Sequence, residues 1–257
     1  MTTYKGKVFV VDQEFHIPHL NRKRKVWMYL PPDYEHTDKR YPVIYMQDGQ
    51  NLFDEKASFA GEWYVDETLD HLFHHHGDQG AIVVGVENAK EGTQRLSEYS
   101  PWFNAYNNYG GDGEHYVNFI IHTLKPYIDE HFRTFPEREN TAIMGSSMGG
   151  LITLYAVIQY QEVFGKAGIF SPSLWFSESA FTHIDQVRKR CNVKLYLVAG
   201  EKEGAYVSNG LRRLYYTLLQ TGFNNNEINM EIAWDGTHQE WFWAREFPKA
   251  YQWLMAS

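Results

Sequence analysis

The chain has one cysteine, Cys191, in 257 residues. A lone thiol cannot close an internal disulfide, and neither CxxC nor HExxH occurs, so nothing marks an oxidising compartment or a familiar metal site. Cys191 stands beside an expected strand start and reads as an inert thiol. Long apolar runs are missing too, and no stretch approaches the ~20 residues of a membrane span. The N-terminus, MTTYKGKVFVVDQEF, carries charges and no apolar run of signal length, so the expected location is the cytoplasm. Basic charge is scarce. The net charge is −8, from 24 Lys and Arg against 32 Asp and Glu. The one basic cluster, Arg22 to Lys25, directly precedes a strand pattern, which argues against a nucleic-acid surface. His71, His74, His75 and His76 share a helix end at i, i+3, i+4 spacing. Without a neighbouring cysteine or carboxylate set they read as a solvated C-terminus favoured by the helix dipole. No metal and no cofactor is expected.

What the chain does have is a 43% hydrophobic content, enough for one large core, with 16% aromatic residues. Lys7 to Phe15 and Lys25 to Leu30 read as an antiparallel strand pair. From residue 42 onward, short apolar runs alternate with helical periodicity. The runs are Pro42 to Met46, Ala81 to Val86, Ala142 to Met144, Lys166 to Phe170, Val193 to Ala199 and Glu227 to Trp234. That alternation predicts βαβ units, hence an α/β fold with a mostly parallel sheet and helices on both faces, in one domain over 1–257. A long helix is expected over Glu114 to Phe132, kinked at Pro126. The stretch 88–113 lacks periodicity yet holds Tyr99, Trp102, Phe103, Tyr106 and Tyr109. Two readings stand: a lid or substrate wall, or a loop packing its aromatics on the body.

The chemistry centres on Gly145-Ser146-Ser147-Met148-Gly149, a G-x-S-x-G placed between an apolar strand and an amphipathic helix. By composition alone the motif arises in roughly one chain in ten of this length; the strand–turn–helix context is what makes Ser147 a nucleophile candidate. In such sheets ligands meet the carboxyl ends of the strands, so the residues just past each strand are the informative ones. His238, in the turn after the last strand, is the candidate base. The order Ser, acid, His places the acid in GEKEG, 200–204, as Glu203 or Glu201. Asp235 is too near His238 in a tight turn to be its natural partner. The oxyanion donors expected are the Met148 N–H and one N–H of the first crossover loop, Gln50, with Gly49 and Asn51 adjacent. Trp102 and Trp175 fall in loops on the same side and are candidates for a flat wall against an aryl or sugar group. Trp63 and Trp243 read as core.

The segments YPVIYMQDGQNLFD (41–54), GEWYVDE (61–67), EYSPW (98–102), GSSMGGL (145–151), VAGEKEG (198–204) and DGTHQEWFW (235–243) together resemble the esterase D or "putative esterase" family of α/β-hydrolases. The resemblance spans roughly 41 to 243. It implies a Ser-Asp/Glu-His triad, with Ser147 and His238 in place, and an acid three residues after the strand-ending glycine, which is Glu203. The crossover loop reads D-G-Q and not the HGGG of lipases. The implied activity is hydrolysis of short-chain or aryl esters, feruloyl or acetyl in type. A siderophore-type esterase or an acyltransferase on the same triad is the alternative, and a non-catalytic binding module the remote one.

Overall fold

The computed structural model describes residues 4–256. Eight strands form one sheet in the order β1-β2-β4-β3-β5-β6-β7-β8. They are β1 (Lys7–Ile17), β2 (Arg22–Leu30), β3 (Val43–Met46), β4 (Ile82–Val86), β5 (Thr141–Ser146), β6 (Lys166–Phe170), β7 (Lys194–Gly200) and β8 (Ile228–Ala233). The β1–β2 hairpin is antiparallel and β2 runs antiparallel to β4, whereas every pair from β4 to β8 is parallel. This is the α/β-hydrolase fold.

The central parallel strands β3 and β4 are apolar and buried at every position because both of their faces are covered. Val43 and Tyr45 face one layer with Ile143, Leu195 and Leu197, against α3 (Gly113–Phe119), α4 (Lys125–His131), α5 (Met148–Gln159), α6 (Ser179–Val187) and α7 (Ala205–Gln220). Ile44 and Met46 face the other layer with Met144, Phe170 and Val198, against α1 (Val65–His76) and α8 (Glu240–Met255). The period-2 alternation of strand side chains thus sorts one continuous apolar run into two cores. α5 is buried along almost its whole length, since it crosses the centre of the sheet. Among the described residues no helix is long and apolar enough to cross a membrane.

Two stretches carry detail beyond the sequence pattern. The helix expected over 114–132 is present as one continuous helical run over 113–131, made of α3, a five-residue π-helical segment at Ile120–Leu124, and α4. Pro126 directly follows the π segment, whose end is marked by the Lys125 N–H bonding the Ile120 carbonyl, so the proline sits where the helix winding changes. The stretch 88–113 contains a short helix, α2 (Gln94–Glu98). It is anchored by Glu98, whose fully buried carboxylate pairs with Arg22 at 2.8 Å and with Arg24.

The entry to α1 carries a crowd of acids. Single carboxylate oxygens of Glu62, Asp66 and Glu67 lie within 4.8 Å of one another. Burial, then the charges of Glu67, Asp54 and Glu55, pushes Glu62 up to about 6. Burial and the neighbouring Glu67 push Asp66 upward as well, and its Oδ1 is buried without a hydrogen-bond partner. The positive end of the helix dipole favours an acid here, so the upward direction shows that burial and repulsion outweigh it. A carboxyl that binds its proton more tightly when folded helps the fold at low pH. That help is lost as pH rises from the ordinary carboxylate value near ~4 through the raised one. We predict that Asp66→Asn raises the thermal midpoint at pH 8 and leaves it unchanged at pH 4. Equal shifts at both pH values would contradict this.

Candidate active site

The carboxyl ends of β3, β5, β6, β7 and β8 lie side by side, and the candidate residues converge there. β5 ends at Ser146 and α5 starts at Met148, leaving Ser147 alone to turn the chain, at φ 57° and ψ −122°. A serine with positive φ is strained, and it is held by its neighbours. Its N–H donates to the Phe170 carbonyl at 2.9 Å, and its carbonyl accepts from Ser173 N–H at 3.0 Å. The turn closes because Gly145 and Gly149 carry no Cβ: one on Gly145 would lie 2.6 Å from the Gly149 carbonyl oxygen.

The last two strands deliver the other two groups together. A Cβ on Gly200 would sit 2.1 Å from the Gly236 carbonyl oxygen, so the turns after β7 and β8 touch backbone to backbone. Lys202 N–H donates to that same carbonyl at 3.1 Å. The 3-10 turn Glu201–Glu203 folds Glu203 back, and its Oε1 accepts the Gly200 N–H at 2.6 Å and the Ser171 hydroxyl at 2.6 Å. Its Oε2 lies 2.6 Å from Nδ1 of His238, and Nε2 of His238 lies 2.9 Å from Oγ of Ser147. With Nδ1 facing a carboxylate, the neutral ring carries its proton there and leaves Nε2 as acceptor for the serine hydroxyl. The Glu203 side chain has no exposed surface, whereas that of His238 is 42% exposed. Ser147, His238 and Glu203 are therefore brought into one line.

The competing acids are occupied elsewhere. Glu201 points to Arg212 at 3.7 Å, and Asp235 holds Arg245 through both oxygens at 2.5 and 2.9 Å. Met148 begins α5, and Gln50 lies in the 3-10 turn Gly49–Asn51 after β3, the strand beside β5. Burial, and next in the same direction the charge of Asp48, pushes Glu240 up; it heads α8 two residues beyond His238.

The tryptophans divide. Trp175 is 51% exposed on the segment following Ser173, whose Oγ is 3.3 Å from Oγ of Ser147. It borders a groove of about 200 Å³ with Leu174, Phe181 and Tyr206. Trp102 packs edge-on against Tyr155 and His183, each with ring centroids 5.8 Å away. These contacts fix the ring on α5 and α6 and leave part of it exposed. Trp63 and Trp243 are buried as expected, but the Trp243 ring also stands edge-on to His238, centroids 5.0 Å apart.

One cluster was not anticipated from the sequence. Asp48, buried and left-handed at φ 54°, accepts a forked pair of hydrogen bonds from Arg95, Nε to Oδ1 and Nη2 to Oδ2, both 2.8 Å. Asn88 Nδ2 adds a 2.5 Å bond to Oδ1, and the Asp48 N–H donates to Tyr99 Oη at 3.1 Å. Asn88 N–H donates to Gln50 Oε1 at 3.2 Å. The crossover loop is thus tied from two sides by the stretch 88–113. Removing one partner from a buried ion pair strands the other. We predict that Arg95→Met costs about 3 kcal/mol in a urea titration; a loss below about 0.5 kcal/mol would show the pair to be dispensable.

Comparison with known proteins agrees with this architecture. The family model described as "Putative esterase" matches residues 17–254, and the chain belongs to that family. A Bacillus subtilis relative, "Uncharacterized protein YbbA", is 27% identical over 249 residues, covering 92% of this chain and 94% of its own. Among solved structures, a ferulic acid esterase superposes with a TM-score of 0.71 at 16% identity, covering 98% of this chain and 99% of that one. The enterobactin esterase FES of Shigella flexneri gives 0.78 at 20% identity, covering 97% of this chain but 58% of that one. At these identities the structural matches speak to the fold.

Proposed function

We propose that this member of the putative esterase family is a serine carboxylester hydrolase acting through an acyl-enzyme. One observation carries the reading: the unbroken line from Ser147 Oγ through the His238 ring to a buried Glu203, at 2.9 and 2.6 Å. A serine hydroxyl is a poor nucleophile until a base takes its proton, and an imidazole is a better base when a carboxylate holds its far side.

Ser147 Oγ attacks the ester carbonyl carbon as its proton passes to Nε2 of His238. The imidazolium is stabilised by Glu203. The developing oxyanion is received by the N–H of Met148 and the N–H of Gln50, and one such donor is worth about 3 kcal/mol in activation free energy. Collapse of the intermediate expels the alkoxide, which takes the proton from Nε2. Water then attacks the acyl carbonyl, giving its proton to His238, and the acid leaves as Ser147 recovers its hydrogen. The open flank of His238 admits that water, which favours hydrolysis over transfer to another alcohol.

Two observations support a substrate class. Trp175 offers a flat apolar face beside the groove lined by Tyr206, suited to an aryl acid or alcohol. Two fold relatives bear the names of ferulic acid and enterobactin esterases, which points the same way. We place the activity on short-chain and aryl esters.

Initial rates on p-nitrophenyl esters from acetate to decanoate and on methyl ferulate test this. Ser147→Ala is expected to lower kcat by on the order of 10⁶ and Glu203→Gln by roughly 10⁴. Glu201→Gln should stay within about twofold, its carboxylate being a surface partner of Arg212. Trp175→Ala should cost about 3–10-fold in kcat/KM on the ferulate and little on the acetate. Full activity in Ser147→Ala would refute the mechanism.

A further inference from the structure

Three neighbouring strands of the sheet, β3, β5 and β6, each run into a non-glycine residue with positive φ just past or at their carboxyl end. Asp48 stands at 54°, Ser147 at 57° and Ser171 at 43°. Such residues are strained, and where strain persists the conformation is commonly kept for use. Asp48 anchors the crossover loop and Ser147 is the nucleophile. Ser171 has no part in the reaction described above.

Its surroundings supply one. Ser171 is 1% exposed. Its N–H donates to the Val198 carbonyl at 2.7 Å, fastening the end of β6 to β7, the strand that delivers Glu203. Its Oγ receives the Nε1–H of Trp243 at 2.9 Å and donates to Glu203 Oε1 at 2.6 Å. Indole N–H is a donor only. With that donor fixed on Oγ, the hydroxyl's own proton is directed to the carboxylate. Oε1 then holds two donors, Ser171 and Gly200, and Oε2 is left for His238. Trp243 also presses on the His238 ring itself, at an interplanar angle of 86°.

We propose that Ser171 and Trp243 are positioning residues of this site. They form a polar relay, Trp243 Nε1–H to Ser171 Oγ–H to Glu203, that locks the carboxylate plane so that Oε2 meets Nδ1 of His238. The inference rests on the serine-hydrolase reading above. The competing account is a structural one, in which the hydroxyl only satisfies a buried indole N–H.

The two differ in what they predict for Ser171→Gly and Trp243→Phe. Glycine suits the left-handed backbone and removes the hydroxyl together with its small CH2. Phenylalanine keeps a six-membered ring near His238 and removes the N–H together with the pyrrole part of the indole. The full chain would be assayed for kcat and KM on p-nitrophenyl acetate and for its thermal midpoint. The far-downfield proton resonance of His238 Nδ1–H would be followed in histidine-¹⁵N-labelled protein. Misplaced catalytic groups cost up to about 10²-fold, so each variant is expected to lose about 10–100-fold in kcat with KM within about twofold, and to shift or broaden that resonance. The double variant should be little worse than the weaker single one, because both cut the same relay. Wild-type kcat with an unmoved resonance in both single variants would overturn the relay. If Ser171→Gly fails to fold, Trp243→Phe decides by the same two readouts. Ser147→Ala runs alongside: if it is inactive while Ser171→Gly and Trp243→Phe are fully active, only the relay falls, whereas an active Ser147→Ala removes the hydrolase reading and the relay with it.

Discussion

The Glu203 carboxylate has no exposed surface, and an ionised group out of water must find its solvation in the protein. Here it is found in the Gly200 N–H, the Ser171 hydroxyl and the His238 ring. Those three groups come from the ends of β6 and β7 and from the turn after β8, so the carboxylate cannot be satisfied unless all three strand ends are in register. The parallel pairing Phe170↔Val198 and Gly200↔Ala233 sets that register. The backbone contact of Gly200 with Gly236 then holds the turns carrying Glu203 and His238 together.

The same end of the sheet holds its strain. A single residue between β5 and α5 turns Ser147 outward, and the helix that follows is buried along both sides so that it cannot relax the turn. Just past the neighbouring strand β3, Asp48 is held left-handed by Arg95, Asn88 and Tyr99, all from the stretch that follows β4. Strain of about 1–3 kcal/mol per residue persists only where surrounding contacts over-determine it. These contacts do so, and the result is a preorganised rim of fixed backbone around the Ser147 hydroxyl.

How much of this was legible in the sequence depended on distance along the chain. The turn at Ser147 and the sheet were legible because the G-x-S-x-G pattern and the strand–helix alternation are local. His238 was legible from its place after the last apolar strand. Between Glu203 and Glu201 the residues alone could not choose, since the choice lies in a 3-10 turn that folds one back on Gly200 and sends the other to Arg212. Asp48 and Arg95 are 47 positions apart, and their pairing is a tertiary fact. The contacts of Trp102 with Tyr155 and His183 were not legible, because a loop aromatic carries no periodicity that fixes its packing partners. Ser171 stood at a strand end and Trp243 in the core, and nothing local joins them.

The central claim is that Ser147 is an activated nucleophile. Its most direct test is a fluorophosphonate probe, with the modified peptide located by mass spectrometry. The account predicts one label per chain, on Ser147, with labelling slowed at least a hundredfold by His238→Ala. A label on any other residue, or no label on folded protein, would contradict it.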